Sequence, residues 1–141
     1  LRNRLSNTFD RSLSTEKQPD LSPIDRLRKF FEEFRIDISK SELKTGCGFG
    51  NISQEMAATN TNFRRKLEEV YSELTGQIRD CLRDAVKVGE INSDTHLEDL
   101  ARFIFNSWEG ALIFVKVLDD VTPLVLFERH IFDLLLPCLS A

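Results

Sequence analysis

Residues 103–118 constrain the fold most, because this stretch is apolar on two sides of a single helix. At about 100° per residue, one face carries Leu97, Ala101, Ile104, Trp108, Ala111 and Val115. Phe103, Gly110 and Phe114 lie on a different side, together with the small Ser107. A surface helix needs one apolar face, so this helix must be covered twice. In a chain of 141 residues, a second copy of the chain is the expected second cover.

Composition excludes several classes of protein. Hydrophobic residues make up 41% and charged residues 30% of the chain, as in a globular protein with one core. The net charge of −4 argues against direct binding of nucleic acid, which calls for a basic surface. The three cysteines are widely spaced and form no C-x-x-C motif, so a reducing cytoplasm is expected. No apolar run approaches the roughly 18 residues of a membrane helix, and no signal-peptide pattern occurs.

Every segment with a clear period follows helical spacing, which predicts an all-α bundle of about six helices. A first helix repeats Leu1, Leu5, Phe9 and Leu13. Ser22 and Pro23 mark the next start, with Asp25 in the first turn. A long helix opens near Phe63 and ends at Gly89, the next starts at Ser93-Asp94, and the last begins at Thr122-Pro123. The chain starts inside a helix, so we expect a preceding segment.

No catalytic or metal-binding pattern stands out. Gly46, Gly48 and Gly50 match neither nucleotide-binding fingerprint, and a tight bend explains them better. The two histidines lie in different helices without companion ligands, so no metal or cofactor is expected. Cys47 is either a small buried sulfur or, if the adjoining helix end lowers its pKa, a reactive thiol that senses electrophiles.

Trp108 marks a second open question, because aromatic residues line both filled cores and cavities for apolar ligands. Phe31, Phe34, Phe105 and Leu112 are expected around it. Asn51, Gln54 and Tyr71 offer polar anchors, and Cys47 lies near one end. The cavity reading predicts an effector that is a small aromatic or aliphatic molecule with one or two polar groups.

A set of motifs resembles one known family. Residues 46–55 read Gly-Cys-Gly-Phe-Gly-Asn-Ile-Ser-Gln-Glu, similar to a recurrent Gly-Cys-x-x-Gly-Asn-x-x-x-Glu. A long helix follows from Phe63, and residues 100–111 resemble a Leu-Ala … Glu-Gly-Ala helix. In this order and spacing, over about residues 22 to 136, the chain resembles the ligand-binding and dimerisation domain of TetR/AcrR-type transcriptional regulators.

The resemblance implies a division of labour. Residues 1–14 resemble the connector that follows a helix-turn-helix domain, and residues 15–141 the ligand-binding and dimerisation domain. DNA binding would belong to helix-turn-helix heads absent from this chain. The last two helices of each copy are expected to form an intermolecular four-helix bundle in a homodimer. The excess apolar surface gives the predicted interface as Phe103, Gly110, Phe114, Phe127, Ile131 and Leu134.

Three functions compete at this point. The favoured one is a regulator, either a repressor or an activator, whose effector shifts the spacing of two DNA-reading heads. The second is a purely structural dimerisation module with a filled core. The third is a small helical enzyme, for which the sequence shows no pattern of catalytic residues.

Overall fold

The computed structural model describes residues 10–14, 16–40 and 47–141, where all regular structure is helical. The elements are α1 (Pro23–Lys40), α2 (Gly48–Met56), α3 (Thr61–Lys87), α4 (Leu97–Leu118), α5 (Thr122–Glu128), a π-helical segment (Arg129–Leu135) and α6 (Leu136–Cys138). The predicted all-α bundle is confirmed. Residues 10–13 are helical, whereas Leu1, Leu5 and Phe9 of the predicted connector lie outside the described residues.

Side-chain caps fix the starts of α1 and α3. The Ser22 hydroxyl accepts a hydrogen bond from the Asp25 amide (3.2 Å), and the Glu90 carboxylate accepts one from the Ile24 amide (3.1 Å). The Asn60 side chain accepts from the first-turn amides of α3. These bonds satisfy amides that have no partner within their own helix. Gly89, at φ +83°, ends the long helix as predicted.

Two boundaries differ from the sequence prediction. Helix α4 begins at Leu97 rather than at Ser93-Asp94, because the Asn92 side chain accepts the Asp94 amide and holds residues 92–95 in a turn. The last helix widens into a π-helix from Arg129 to Leu135. Pro137 follows that segment and has no amide hydrogen to donate to an α-helical ladder.

The core centres on an aromatic cluster at the junction of α1, α4 and α5. The Phe31 ring lies 5.0 Å from Phe30, 5.4 Å from Trp108 and 4.9 Å from Phe127, centroid to centroid. These edge-to-face separations fall in the range that aromatic pairs favour. Helix α3 closes the other side of the core by packing against α1 and α4.

Helix α4 carries the two apolar faces that the sequence indicated. Its inward face is buried and comprises Leu100, Ala101, Ile104, Phe105, Trp108, Leu112 and Val115. On its outward face Phe103 is 55% exposed and Phe114 57% exposed. One face of α4 therefore lies in the core, and the other presents large apolar side chains to solvent.

In the described part of the chain, none of the helices combines the length and apolar composition that crossing a membrane requires.

Replacing Phe31 by Ala should lower the free energy of unfolding by about 3–5 kcal/mol, because it empties the centre of the aromatic cluster. Ile36, 40% exposed on the same helix, provides the control. Ile36→Ala should cost less than about 1 kcal/mol. Urea unfolding followed by circular dichroism measures both, and equal losses would show that Phe31 is not a core residue.

Candidate functional site

The structure divides the residues predicted to bind an effector into two groups. The first is aromatic: Trp108 has its ring 4.8 Å from Phe34, 5.4 Å from Phe31 and 5.9 Å from Phe105. Tyr71 joins this group through Phe105, at 5.7 Å, and its hydroxyl donates a hydrogen bond to the Asn106 side chain (3.1 Å). These residues are in ring-to-ring contact between α1, α3 and α4.

The second group lines a small cavity between α2 and α4. Its walls are Cys47, Gly50, Asn51, Gln54, Glu109, Leu112, Ile113 and Lys116, and its volume is about 50 Å³. Of the predicted residues, Cys47, Asn51 and Leu112 therefore meet here, whereas Phe31, Phe34 and Tyr71 do not. A buried water needs roughly 10–15 Å³ by this measure, so the cavity has room for a few waters or a small polar group.

Glu109 is the feature of this cavity that the sequence analysis did not single out. Its Oε1 atom is buried and has no hydrogen-bond partner among the described residues. The other carboxylate oxygen lies against Gly50, where an added Cβ would collide with it. Burial raises the pKa of Glu109 to about 7, although a hydrogen bond from Cys47 opposes the rise. In the sequence, the only sign of its role is the position of an acidic residue between Trp108 and Gly110.

Cys47 lies immediately before α2, lines the same cavity and is buried. Burial and, to a smaller extent, the neighbouring Glu109 raise the pKa of its thiol to about 12, although hydrogen bonds from the amides of Gly50 and Phe49 act in the opposite direction. The thiol is therefore protonated at neutral pH. This contradicts the requirement of the reactive-thiol hypothesis, because the thiolate is the nucleophilic form. Lys44, the cation proposed to assist it, lies outside the described residues.

Lys116 closes the outer end of the cavity. Its ammonium group donates a hydrogen bond to the Asn51 side-chain oxygen at 2.6 Å and so ties α4 to α2. The cavity thus combines a buried carboxyl, a protonated thiol and an amide–ammonium pair. In the described ranges, no cluster of three or more His, Cys, Asp or Glu side chains is arranged to hold a metal ion.

The residues predicted for the dimer interface lie on the opposite side of α4. A groove of about 460 Å³ is lined by Phe103, Ser107, Ala111, Pro123, Leu126, Phe127, His130, Ile131 and Leu135. Phe103, Phe114 and Leu134 are more than half exposed. Phe127 and Ile131 are buried within the chain and contribute to the groove wall. At Gly110 an added Cβ would meet open space.

Comparisons with known proteins agree on one family. The family described as "Tetracyclin repressor-like, C-terminal domain" matches residues 23–131. The HTH-type transcriptional repressor DhaR of Mycobacterium sp. (strain GP1) is 27% identical over 124 residues, which are 88% of this chain and 61% of DhaR. The transcriptional regulator AcuR of Cereibacter sphaeroides is 31% identical over 109 residues, which are 77% of this chain and 50% of AcuR.

A solved structure shares the fold. The regulatory protein TetR from Rhodobacter sphaeroides superposes with a TM-score of 0.83 at 27% identity, over 92% of this chain and 67% of that one. The chain spans 50–61% of the length of the two curated relatives.

Replacing Glu109 by Gln should remove a pH dependence of stability. The folded carboxyl keeps its proton up to about pH 7, whereas an unfolded glutamate releases it near pH 4.3. The folded state binds more protons between these values, so the free energy of unfolding falls as the pH rises through them. By pH 8 the free energy of unfolding falls by about 4 kcal/mol in total, because each pKa unit is worth about 1.4 kcal/mol.

Urea unfolding between about pH 4 and pH 8 measures this slope. The control is Glu55→Gln, which removes an exposed carboxylate from α2 and should keep the wild-type slope. Parallel curves for the wild type and Glu109→Gln would contradict the burial of a raised-pKa carboxyl.

Proposed function

This chain belongs to the family of tetracyclin-repressor-like C-terminal domains, and on that premise we propose that it is the effector-binding and dimerisation domain of a transcriptional regulator. The named relatives are transcriptional regulators, one of them a repressor. Because the chain spans 50–61% of their length and carries a net charge of −4, we assign DNA binding to helix-turn-helix heads in the parent protein. We place its action in the cytoplasm, where such a regulator meets DNA.

The observation that supports the proposed dimer is the exposed apolar face of α4. Phe103 and Phe114 project from it beside the groove that α4 forms with α5 and the π-helical segment. A second copy that packs the same face into this groove makes a four-helix bundle, and Gly110 lets the two α4 backbones approach closely. We expect the contact to exceed roughly 1,000 Å² in total, the size of a credible interface.

The proposed effector site lies between the aromatic cluster and the cavity under α2. The aromatic rings offer an apolar wall, while Asn51, Glu109 and Lys116 supply polar anchors at one end. The effector expected there is a small aromatic or aliphatic molecule with one or two polar groups. The effector changes DNA affinity only if it binds two conformations of the dimer with different affinities. Equal affinity for both would leave their populations unchanged.

A purely structural dimerisation module is the second candidate function. The ring-to-ring contacts around Trp108 favour this function, because close-packed aromatic side chains leave little space for an apolar ligand.

Phe114→Glu should convert the dimer into a monomer at micromolar concentration. The substitution puts a charge in each half of an apolar interface, and we expect the dissociation constant to rise at least about 100-fold. Ile36→Glu, at an exposed apolar position of α1, is the matched control and should remain dimeric. Sedimentation equilibrium measures both, and a monomeric wild-type chain would refute the proposed dimer.

Trp108 provides the test of effector binding, because it is the single tryptophan of the chain and lies in the aromatic cluster. Small aromatic and aliphatic compounds with one polar group should shift its emission and raise the melting temperature in a saturable way. Phe34→Ala should alter the affinity, whereas Ile36→Ala should not. A broad panel that leaves both signals unchanged would favour the structural module.

A further inference from the structure

Glu109 is a half-buried residue whose Oε1 atom is fully buried and whose charge no cation compensates in the described part of the chain. Arginines pair with other acidic side chains, as in Arg79–Glu98 (3.1 Å), Arg28–Asp133 (2.6 Å) and Arg35–Glu128 (2.8 Å). None of the ion pairs found among the described residues includes Glu109. A carboxylate removed from water without a partner is costly, and protonation near neutral pH is the response of this group.

The other titratable side chains of the cavity do not compensate the charge of Glu109. The titratable groups that line it with Glu109 are Cys47, just before α2, and Lys116, two turns further along α4. Cys47 is a protonated thiol that bonds to Glu109. The Lys116 ammonium is directed to the Asn51 oxygen. It forms no ion pair with Glu109, whose raised pKa reflects burial.

Gly50 shapes the approach to the carboxyl. A side chain at this position of α2 would occupy the space of the Glu109 carboxylate. The cavity of about 50 Å³ beside it accommodates only a few non-hydrogen atoms. Leu112 and Ile113 form the apolar part of its wall. The geometry therefore suits a compact polar head with a short aliphatic extension.

We propose that this cavity is the polar end of the effector site and takes the ammonium group of a small primary amine, which pairs with the Glu109 carboxylate. The inference rests on the proposed effector-binding function. When the amine binds as an ammonium ion, Glu109 gives its proton to the solvent, and the two opposite charges compensate each other in the cavity. Above the pKa of Glu109, a carboxylate ligand meets a like charge at this residue, and Lys116 is already bonded to Asn51.

The test uses propylammonium chloride and sodium propionate, two ions of similar size and opposite charge, added to the 141-residue chain at about pH 8 and equal ionic strength. Isothermal titration calorimetry should detect propylammonium binding that weakens at least tenfold in Glu109→Gln. Glu55→Gln, the exposed carboxylate on α2, should bind as the wild type does. Glu109→Asp, which keeps a shorter carboxylate, should bind with intermediate affinity and guards against loss of fold as the cause.

A second readout separates ion pairing from a structural role of Glu109. Titrations at pH 7 in buffers with different ionisation enthalpies should report release of protons when the amine binds, because burial keeps part of the Glu109 population protonated at this pH. Proton uptake or no proton exchange would overturn the proposal. Binding of propionate instead of propylammonium, binding of neither ion, or equal binding to Glu109→Gln would overturn it too. These outcomes leave the proposed dimer and the response to the wider effector panel to be judged separately.

Discussion

Helix α4 is the element on which the rest of the structure depends, because three consecutive residues face three environments. Trp108 enters the aromatic core, Glu109 enters the cavity under α2, and Gly110 faces open space on the side of the groove. Steps of about 100° per residue separate these directions. A helix with apolar surface on both sides needs both sides covered, and α3 together with the aromatic side chains of α1 covers one of them.

This arrangement gives the proposed regulator a short physical connection between its sites. The same rigid helix carries the polar end of the proposed effector site and the proposed dimer face, one residue apart. A ligand that displaces α2 from Glu109, or changes the packing of Trp108 on α1, acts on the helix that would set the distance between subunits. The free energy available for this shift is the difference in ligand affinity between the two arrangements.

The sequence predicted the features that depend on local spacing. The apolar period of α3, the Ser22-Pro23 start of α1 and the two-sided character of α4 follow from residue order alone. The later start of α4 and the π-helical segment were missed because competing side-chain bonds and Pro137 override the period. Glu109 was missed for a different reason: its pKa depends on how closely α2 approaches at Gly50, which is a property of tertiary packing.

Cross-linking at the outward face of α4 tests the central claim most directly, namely that a second copy covers this face. Ser107 lines the groove, and Ser39 is exposed on α1, so Ser107→Cys and Ser39→Cys are matched probes. Both belong in a Cys138→Ser background, because Cys138 is exposed while Cys47 and Cys81 are buried. The account predicts that a short bismaleimide links Ser107→Cys into a covalent dimer at micromolar concentration and leaves Ser39→Cys monomeric. Equal linking of the two variants, or none at position 107, would contradict it.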